Sequence, residues 1–166
     1  MNYEMHISDL GGSLTKGFEQ LRLLAYKPTP NDRWTIGYGS TFHIDGTPVC
    51  EGETCTQEEA EAMFNRDMIK FENGVKKRIS IELTQNRFDS LVDLAYNAGF
   101  GYTDNSGQYH DWDLWHNINN NMDDASLFAY WTNLAITQAG VKLNGLIRRR
   151  KSEVTYYQTG IVNFFN

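Results

Sequence analysis

Apolar positions recur along this chain with two different periods, and the change of period marks its organisation. Leu10, Leu14 and Phe18 fall four residues apart, the spacing of one helix face. From Arg33 to about Cys55 the period shortens to two: Trp34, Ile36 and Tyr38 alternate with polar or small residues, and Asp45-Gly46 is a hairpin turn pair. Thr56-Gln57-Glu58-Glu59 then forms a capping box. Behind it Ala60, Met63, Phe64, Met68, Phe71 and Val75 return to helical spacing, which predicts a long helix. After Ser80 the helical period dominates. Thr84 is placed to cap a helix carrying Phe88, Leu91, Val92, Ala95 and Tyr96 on one face, with Ala98-Gly99 as its stop. Phe100 to Asp111, rich in Gly, Asn and Asp, reads as a loop. Helices follow from Trp112 to Ile118, from a cap at Asp123 or Asp124 through Leu127, Tyr130, Trp131 and Leu134, and from Gly145 to about Tyr157, ending before Gly160.

The pattern predicts an α+β protein: a small N-terminal lobe with a short antiparallel sheet, joined by the long helix to a larger all-helical lobe, with a cleft between them. Residues 1–166 are read as a single domain, the small lobe at about 15–58 and the helical lobe at about 80–166 together with the N-terminal segment. At 166 residues and 40% hydrophobic composition the chain can bury a core without staples. No apolar run is long enough to cross a bilayer, and the N-terminal residues lack the basic and apolar regions of a secretory signal. Synthesis in a cytoplasm is therefore expected, with no stable membrane insertion.

A net charge of −6 argues against nucleic acid as a partner. The basic runs Arg148-Arg149-Arg150-Lys151 and Lys76-Lys77-Arg78 read as charged helix faces rather than binding patches. Cys50 and Cys55 match no common zinc spacing and are read as free thiols, although a small disulfide would be possible in an oxidising compartment. His6, His43, His110 and His116 form no metal-like cluster.

The candidate chemistry centres on Glu19, which closes the first short helix and sits between Phe18 and Leu21. Desolvation by such neighbours favours the protonated form that a general acid needs. A single Glu at a helix end is, however, ordinarily a solvated side chain. The surrounding text is more specific. Phe18-Glu19-Gln20-Leu21-Arg22-Leu23-Leu24-Ala25-Tyr26, followed by Trp34-Thr35-Ile36-Gly37-Tyr38-Gly39-Ser40-Thr41, resembles the signature of phage T4-type lysozymes, glycoside hydrolase family 24. In that family the pattern is close to E-G-L-R-L-x-A-Y-x-D, then T-I-G-Y-G-H-T. Leu83-Thr84-Gln85-Asn86-Arg87-Phe88-Asp89-Ser90-Leu91-Val92, running into Tyr96-Asn97-Ala98-Gly99, is similar to the family's L-T-x-x-Q-x-D-A-L-V helix and its F-N-x-G ending. Gly145-Leu146-Ile147-Arg148-Arg149-Arg150-Lys151-Ser152-Glu153 resembles its G-L-x-x-R-R-x-x-E tail. The four blocks span nearly the whole chain in the family's order.

The resemblance implies a lysozyme-like fold and an endolysin that hydrolyses the β-1,4 bond between N-acetylmuramic acid and N-acetylglucosamine, inverting the anomeric centre. It assigns Glu19 as general acid and Thr35 as the hydroxyl that helps hold the attacking water; the alternative for Thr35 is a plain strand former. The family aspartate falls two residues after the Tyr of A-Y-x-D, and here that position is Pro28. Asp32 is the only carboxylate in the loop and is named as the replacement base. Ordinary turn chemistry at Pro-Asn-Asp is the equal alternative, and a site that relies on Thr35 and a fixed water also stands open. Ser40 stands where the family usually has His. Thr41, Tyr96 and Asn133 fall at positions that line the family's sugar groove, against core packing for Tyr96 and plain helix surface for Asn133. Arg149 matches the tail arginine that approaches the acid.

No metal or cofactor is expected, because the chemistry needs carboxyl, hydroxyl and water alone. The expected partner is the glycan strand of peptidoglycan. The resemblance further implies a monomer, made in the host cytoplasm and acting on the wall in the periplasm after release by a holin. Two other readings remain: a peptidoglycan-binding homologue that has lost catalysis, which Pro28 favours, and a lytic transglycosylase or chitinase, for which a missing base is no handicap.

Overall fold

The computed structural model describes residues 2–138 and 140–165. Its chain forms two compact units: residues 15–70 make the smaller, and residues up to Leu14 together with those from Phe71 onward make the larger. The boundaries fall inside helix α1 (Asp9–Glu19) and inside helix α2 (Gln57–Arg78).

In the smaller unit, strand β1 (Arg22–Tyr26) pairs antiparallel with β2 (Thr35–Gly37), Arg22 facing Gly37 and Tyr26 facing Thr35. The alternation at Trp34, Ile36 and Tyr38 marks β2 correctly, but β1 lies upstream of where the sequence pattern starts its strands. The reason is solvent. Leu23 and Leu24 are 44% and 59% exposed, so β1 shows no inside-outside alternation. Its other edge is covered by the chain before α2: the Ala25 amide donates to Glu53 O at 2.8 Å and the Cys55 amide to Leu23 O at 2.9 Å. Asp45-Gly46 makes the predicted turn. The His43 amide reaches Thr47 O at 2.8 Å, the Thr47 amide donates to Asp45 Oδ1 at 2.9 Å, and the strands it joins amount to one bridge, Phe42 to Pro48.

The capping box of α2 is present in both directions. The Thr56 amide donates to Glu59 Oε2 at 2.8 Å and the Glu59 amide to Thr56 Oγ1 at 3.1 Å, which satisfies two amides left over at the helix start. The helical spacing read along α2 matches its burial: Ala60, Met63, Phe64, Met68 and Val75 are each at most 1% exposed. Within the small unit the Tyr38 ring meets Phe64 edge-on at 5.5 Å.

The larger unit is built around α3 (Gln85–Ala98), which Thr84 precedes and Gly99 closes. The sequence predicts one buried face; instead every residue from Phe88 to Ala95 is buried, including Asp89, Ser90 and Asp93. Its main partner is α6 (Asn144–Thr159), and α5 (Ala125–Thr132) packs on α6 in turn. Trp131 of α5 meets the Tyr157 ring at 5.2 Å. Asp124 caps α5, accepting from the Ser126 and Leu127 amides, while Asp123 pairs with Arg87. Helix α4 (Asp113–Asn119) lies where the pattern put it.

Two features of this unit differ from the expectation. The segment read as a loop contains a hairpin, β3 (Gly101–Thr103) with β4 (Tyr109–Asp111), and β5 (Thr137–Gln138) pairs with β6 (Val141–Lys142), so the larger unit is not all helical. Asp104 organises the first hairpin by accepting from the Ser106 amide at 2.8 Å and the Gln108 amide at 3.0 Å, while cross-strand Tyr102 and His110 stack at 5.3 Å. The basic run at 148–151 is also not one charged face. Arg148 and Lys151 are exposed, but Arg149 and Arg150 are buried against acids. Both cysteines are free thiols, Cys50 exposed and Cys55 buried.

Candidate active site

Glu19 is the last residue of α1, and the chain turns sharply after it. Gln20 adopts φ +57°, the left-handed conformation of a helix C-cap, and its amide reaches back to Lys16 O at 3.1 Å. That turn delivers Leu21 and then β1, so the helix end and the hairpin are placed together by local chain geometry. Glu19 is half-buried. The Tyr26 hydroxyl is pushed up from its ordinary value, first by burial and then by the negative charge of Glu19, with Arg22 opposing. Tyr26 therefore lies within electrostatic reach of the acid. By strand register it also faces Thr35, which is 5% exposed. The hairpin thus brings Glu19, Tyr26 and Thr35 into one neighbourhood.

The Thr35 hydroxyl donates to Arg33 O at 3.1 Å. A hydroxyl has one hydrogen to give and two lone pairs to offer, so its remaining capacity is to accept, the property needed to hold a water. Gly37, at the end of β2, has φ +66°, and a Cβ there would stand 3.1 Å from the Ala60 Cβ. Only glycine suits both the conformation and the close approach of β2 to α2. Behind the strand, Tyr38 donates to Glu61 at 3.0 Å and the buried Ser40 donates to Asp67 at 2.6 Å. Serine, where the family pattern has histidine, anchors the turn to the helix through a carboxylate.

Asp32 is exposed, and its amide donates to Thr29 O at 3.0 Å, closing a turn. It lines a hollow of about 460 Å³ with Thr41, Lys27, Arg33, Trp34 and Phe42. The remaining candidates belong to the larger unit. Tyr96 is half-buried, its ring 5.0 Å from Phe71. Asn133 is exposed at the C-cap of α5, its amide nitrogen donating to Ala129 O at 2.9 Å. Arg149 grips Asp93 with two bonds, at 2.9 and 3.1 Å, and stands 3.8 Å from Glu153.

Sequence reasoning gave no role to the acids around Arg149. Glu153 is wholly buried, accepting from Trp131 Nε1 at 2.8 Å and pairing with Arg150 at 2.6 Å. Burial pushes its carboxyl well above the ordinary range, the arginine cations opposing, and burial lowers the Arg150 guanidinium. Asp93 could have been noticed as an acid inside the otherwise apolar run of α3, and Glu153 as an acid three residues after Arg150. Among the described residues no group of three or more His, Cys, Asp or Glu side chains is placed to hold a metal ion, and no helix is long and apolar enough to cross a membrane.

A half-buried acid at a helix end, a two-stranded hairpin behind it and a mainly helical larger unit define a lysozyme-like α+β protein. A model of the phage lysozyme family matches residues 16–153, and the chain belongs to that family. It is 37% identical over 159 residues to the endolysin of Bacillus phage B103, covering 94% of this chain and 55% of that protein. The chain thus spans little more than half the length of that relative. The endolysin from Escherichia coli O157:H7 phage FAHEc1 superposes with a TM-score of 0.81 at 33% identity, over 96% of this chain and 98% of the other. The muramidase domain of SpmX from Asticaccaulis excentricus superposes at 0.75 with 29% identity, over 94% and 99%.

Proposed function

We propose that this chain is an endolysin that hydrolyses the β-1,4 bond between N-acetylmuramic acid and N-acetylglucosamine in peptidoglycan. The observation that carries the reading is the half-buried Glu19 at the turn into the β1–β2 hairpin, with Thr35 facing the tyrosine that feels its charge. Family membership and the likeness to endolysins and to a muramidase domain support it.

In this reading Glu19 protonates the leaving glycosidic oxygen as the sugar gains oxocarbenium character. A water attacks the opposite face, held by the lone pairs of Thr35, whose own proton is committed to Arg33 O. Inversion needs room for that water, about 6.5–9.5 Å between acid and base. Asp32 is the carboxylate proposed to receive the water's proton, since Pro28 occupies the family aspartate's place. Thr41, Tyr96 and Asn133 are proposed sugar contacts. The protein would act as a monomer on the wall in the periplasm, after synthesis in the host cytoplasm and release by a holin.

One second reading is a lytic transglycosylase, which needs the acid but no water-activating base and so is compatible with Pro28 in the aspartate's place. Mass spectrometry of digested peptidoglycan separates the two. Hydrolysis predicts reducing muramic acid ends; 1,6-anhydro ends would overturn it in favour of transglycosylation.

A further inference from the structure

The hollow in the smaller unit, whose lining includes Asp32 and Thr41, carries besides them a cation-and-ring chemistry that a neutral glycan does not need. Two of its walls are aromatic, Trp34 and Phe42, and each carries a cation: Lys27 Nζ stands 5.4 Å from the Trp34 ring centre and the Arg33 guanidinium 5.6 Å from that of Phe42. Cations over aromatic faces are held in place at modest cost while their outer side stays available to an anion. Lys27 gives one bond to Pro30 O at 3.3 Å. Among the described residues no hydrogen-bond acceptor engages the guanidinium of Arg33, a fork of donors matched to carboxylates. Phe42 is 38% exposed, so apolar ring surface faces the same space. Two cations against the single carboxylate of Asp32 make this hollow locally positive on a chain of net charge −6. A neutral sugar has no use for that charge. A short peptide with a free carboxyl and small apolar side chains uses both the cations and the rings, and about 460 Å³ lies within the range of small-molecule sites.

We propose that this hollow binds a carboxylate of the peptide attached to muramic acid, gripped by Arg33 and Lys27 with its apolar part against Trp34 and Phe42. The proposal rests on the peptidoglycan reading above and names a second part of the same substrate. It places peptide recognition in the loops at 27–34 and 41–49, beside the hairpin that positions the acid.

The test is a titration of the full chain carrying Glu19→Gln, followed by NMR at the Trp34 indole N–H, with four probes. These are an N-acetylmuramyl dipeptide bearing a free carboxyl, the same dipeptide amidated, a neutral chito-oligosaccharide and inorganic phosphate. The free-acid dipeptide is expected to shift the Trp34 signal, and Arg33→Gln to weaken its binding about fivefold, the effect of one partly exposed charge-assisted contact. Amidation of the probe is expected to weaken it by a similar factor, and 0.5 M salt to weaken the free acid alone, screening being strong at about that ionic strength. Chito-oligosaccharide binding is expected to be indifferent to Arg33→Gln, and thermal unfolding checks that the variant folds. Equal affinity for the free and amidated dipeptides, or no effect of Arg33→Gln, overturns the proposal. Phosphate competing as well as the dipeptide also overturns it, in favour of an unselective anion site. Failure of the oligosaccharide and both dipeptides to bind would instead sink the peptidoglycan reading itself.

Discussion

Gln20 shows how a single residue carries a cost for the site. It holds φ +57° directly after the proposed acid, where the family pattern has glycine. A side chain in left-handed conformation costs about 1 kcal/mol that glycine does not incur. Gln20→Gly is therefore expected to raise stability by about 0.5–1 kcal/mol, read from the midpoint of urea unfolding. A loss of stability would show that the Gln20 side chain contributes more than its backbone strain costs. This position was legible only in part. The motif identifies Glu19, but nothing in the spelling Glu19-Gln20-Leu21 states that the helix ends there in left-handed geometry. Thr35 was legible as a strand residue and as a motif member, while its donation to Arg33 O depends on a loop conformation that no periodicity encodes. Glu153, quoted only as a motif letter, and Asp93 received no role for the opposite reason. Charged letters read as surface, and only the packing of α3 against α6 reveals that they face arginines in the interior.

At the scale of elements, α2 and its capping box were readable because both signals are local: a hydrophobic period and two side chains three residues apart. The β3–β4 hairpin was missed because its strands are only three residues long and largely exposed, and its order comes from one carboxylate. Asp104 is lowered from 3.8 to about 2, by the hydroxyl of Ser106 first, then His110, then the Gln108 amide. A carboxyl with a depressed folded value gives its stabilisation fully above the unfolded value and loses it as pH falls towards the folded one. The hairpin is thus expected to be intact above about pH 4 and to loosen as pH falls to about 2. Amide exchange at Ser106 and Gln108, followed by NMR, checks this, and Asp104→Asn should abolish the dependence. Protection of those amides that stays constant down to pH 2 would exclude the turn as the titrating element.

For the whole molecule, the informative residue is Asp89, buried at the centre of the larger unit. It accepts from the Ser8 amide at 3.1 Å, from the Ser8 hydroxyl, from Gln85 at 2.8 Å and from Tyr156 at 2.9 Å. One carboxylate therefore ties the start of the chain to α3 and α6. Burial first, and then Asp89, push the Tyr156 hydroxyl up to about 12, with Ser8 opposing. Asp89→Ala leaves several buried donors without an acceptor and is expected to cost about 3–5 kcal/mol of global stability in denaturant unfolding. A cost below 1 kcal/mol would mean that this network does not hold the N-terminal segment. The fold class was open to sequence because two periods and their order state it; the tie at Asp89 was not, since its partners lie up to 81 and 67 residues away.

Glu19 as the proton donor is tested most directly by one measurement: reducing ends released from purified peptidoglycan by the native chain and by Glu19→Gln, with thermal unfolding to verify that the variant folds. General acid catalysis predicts release by the native chain and a loss of at least about a hundredfold in the variant, which keeps the size and polarity of the side chain but cannot donate the proton. Release by Glu19→Gln at the native rate would contradict general acid catalysis by Glu19.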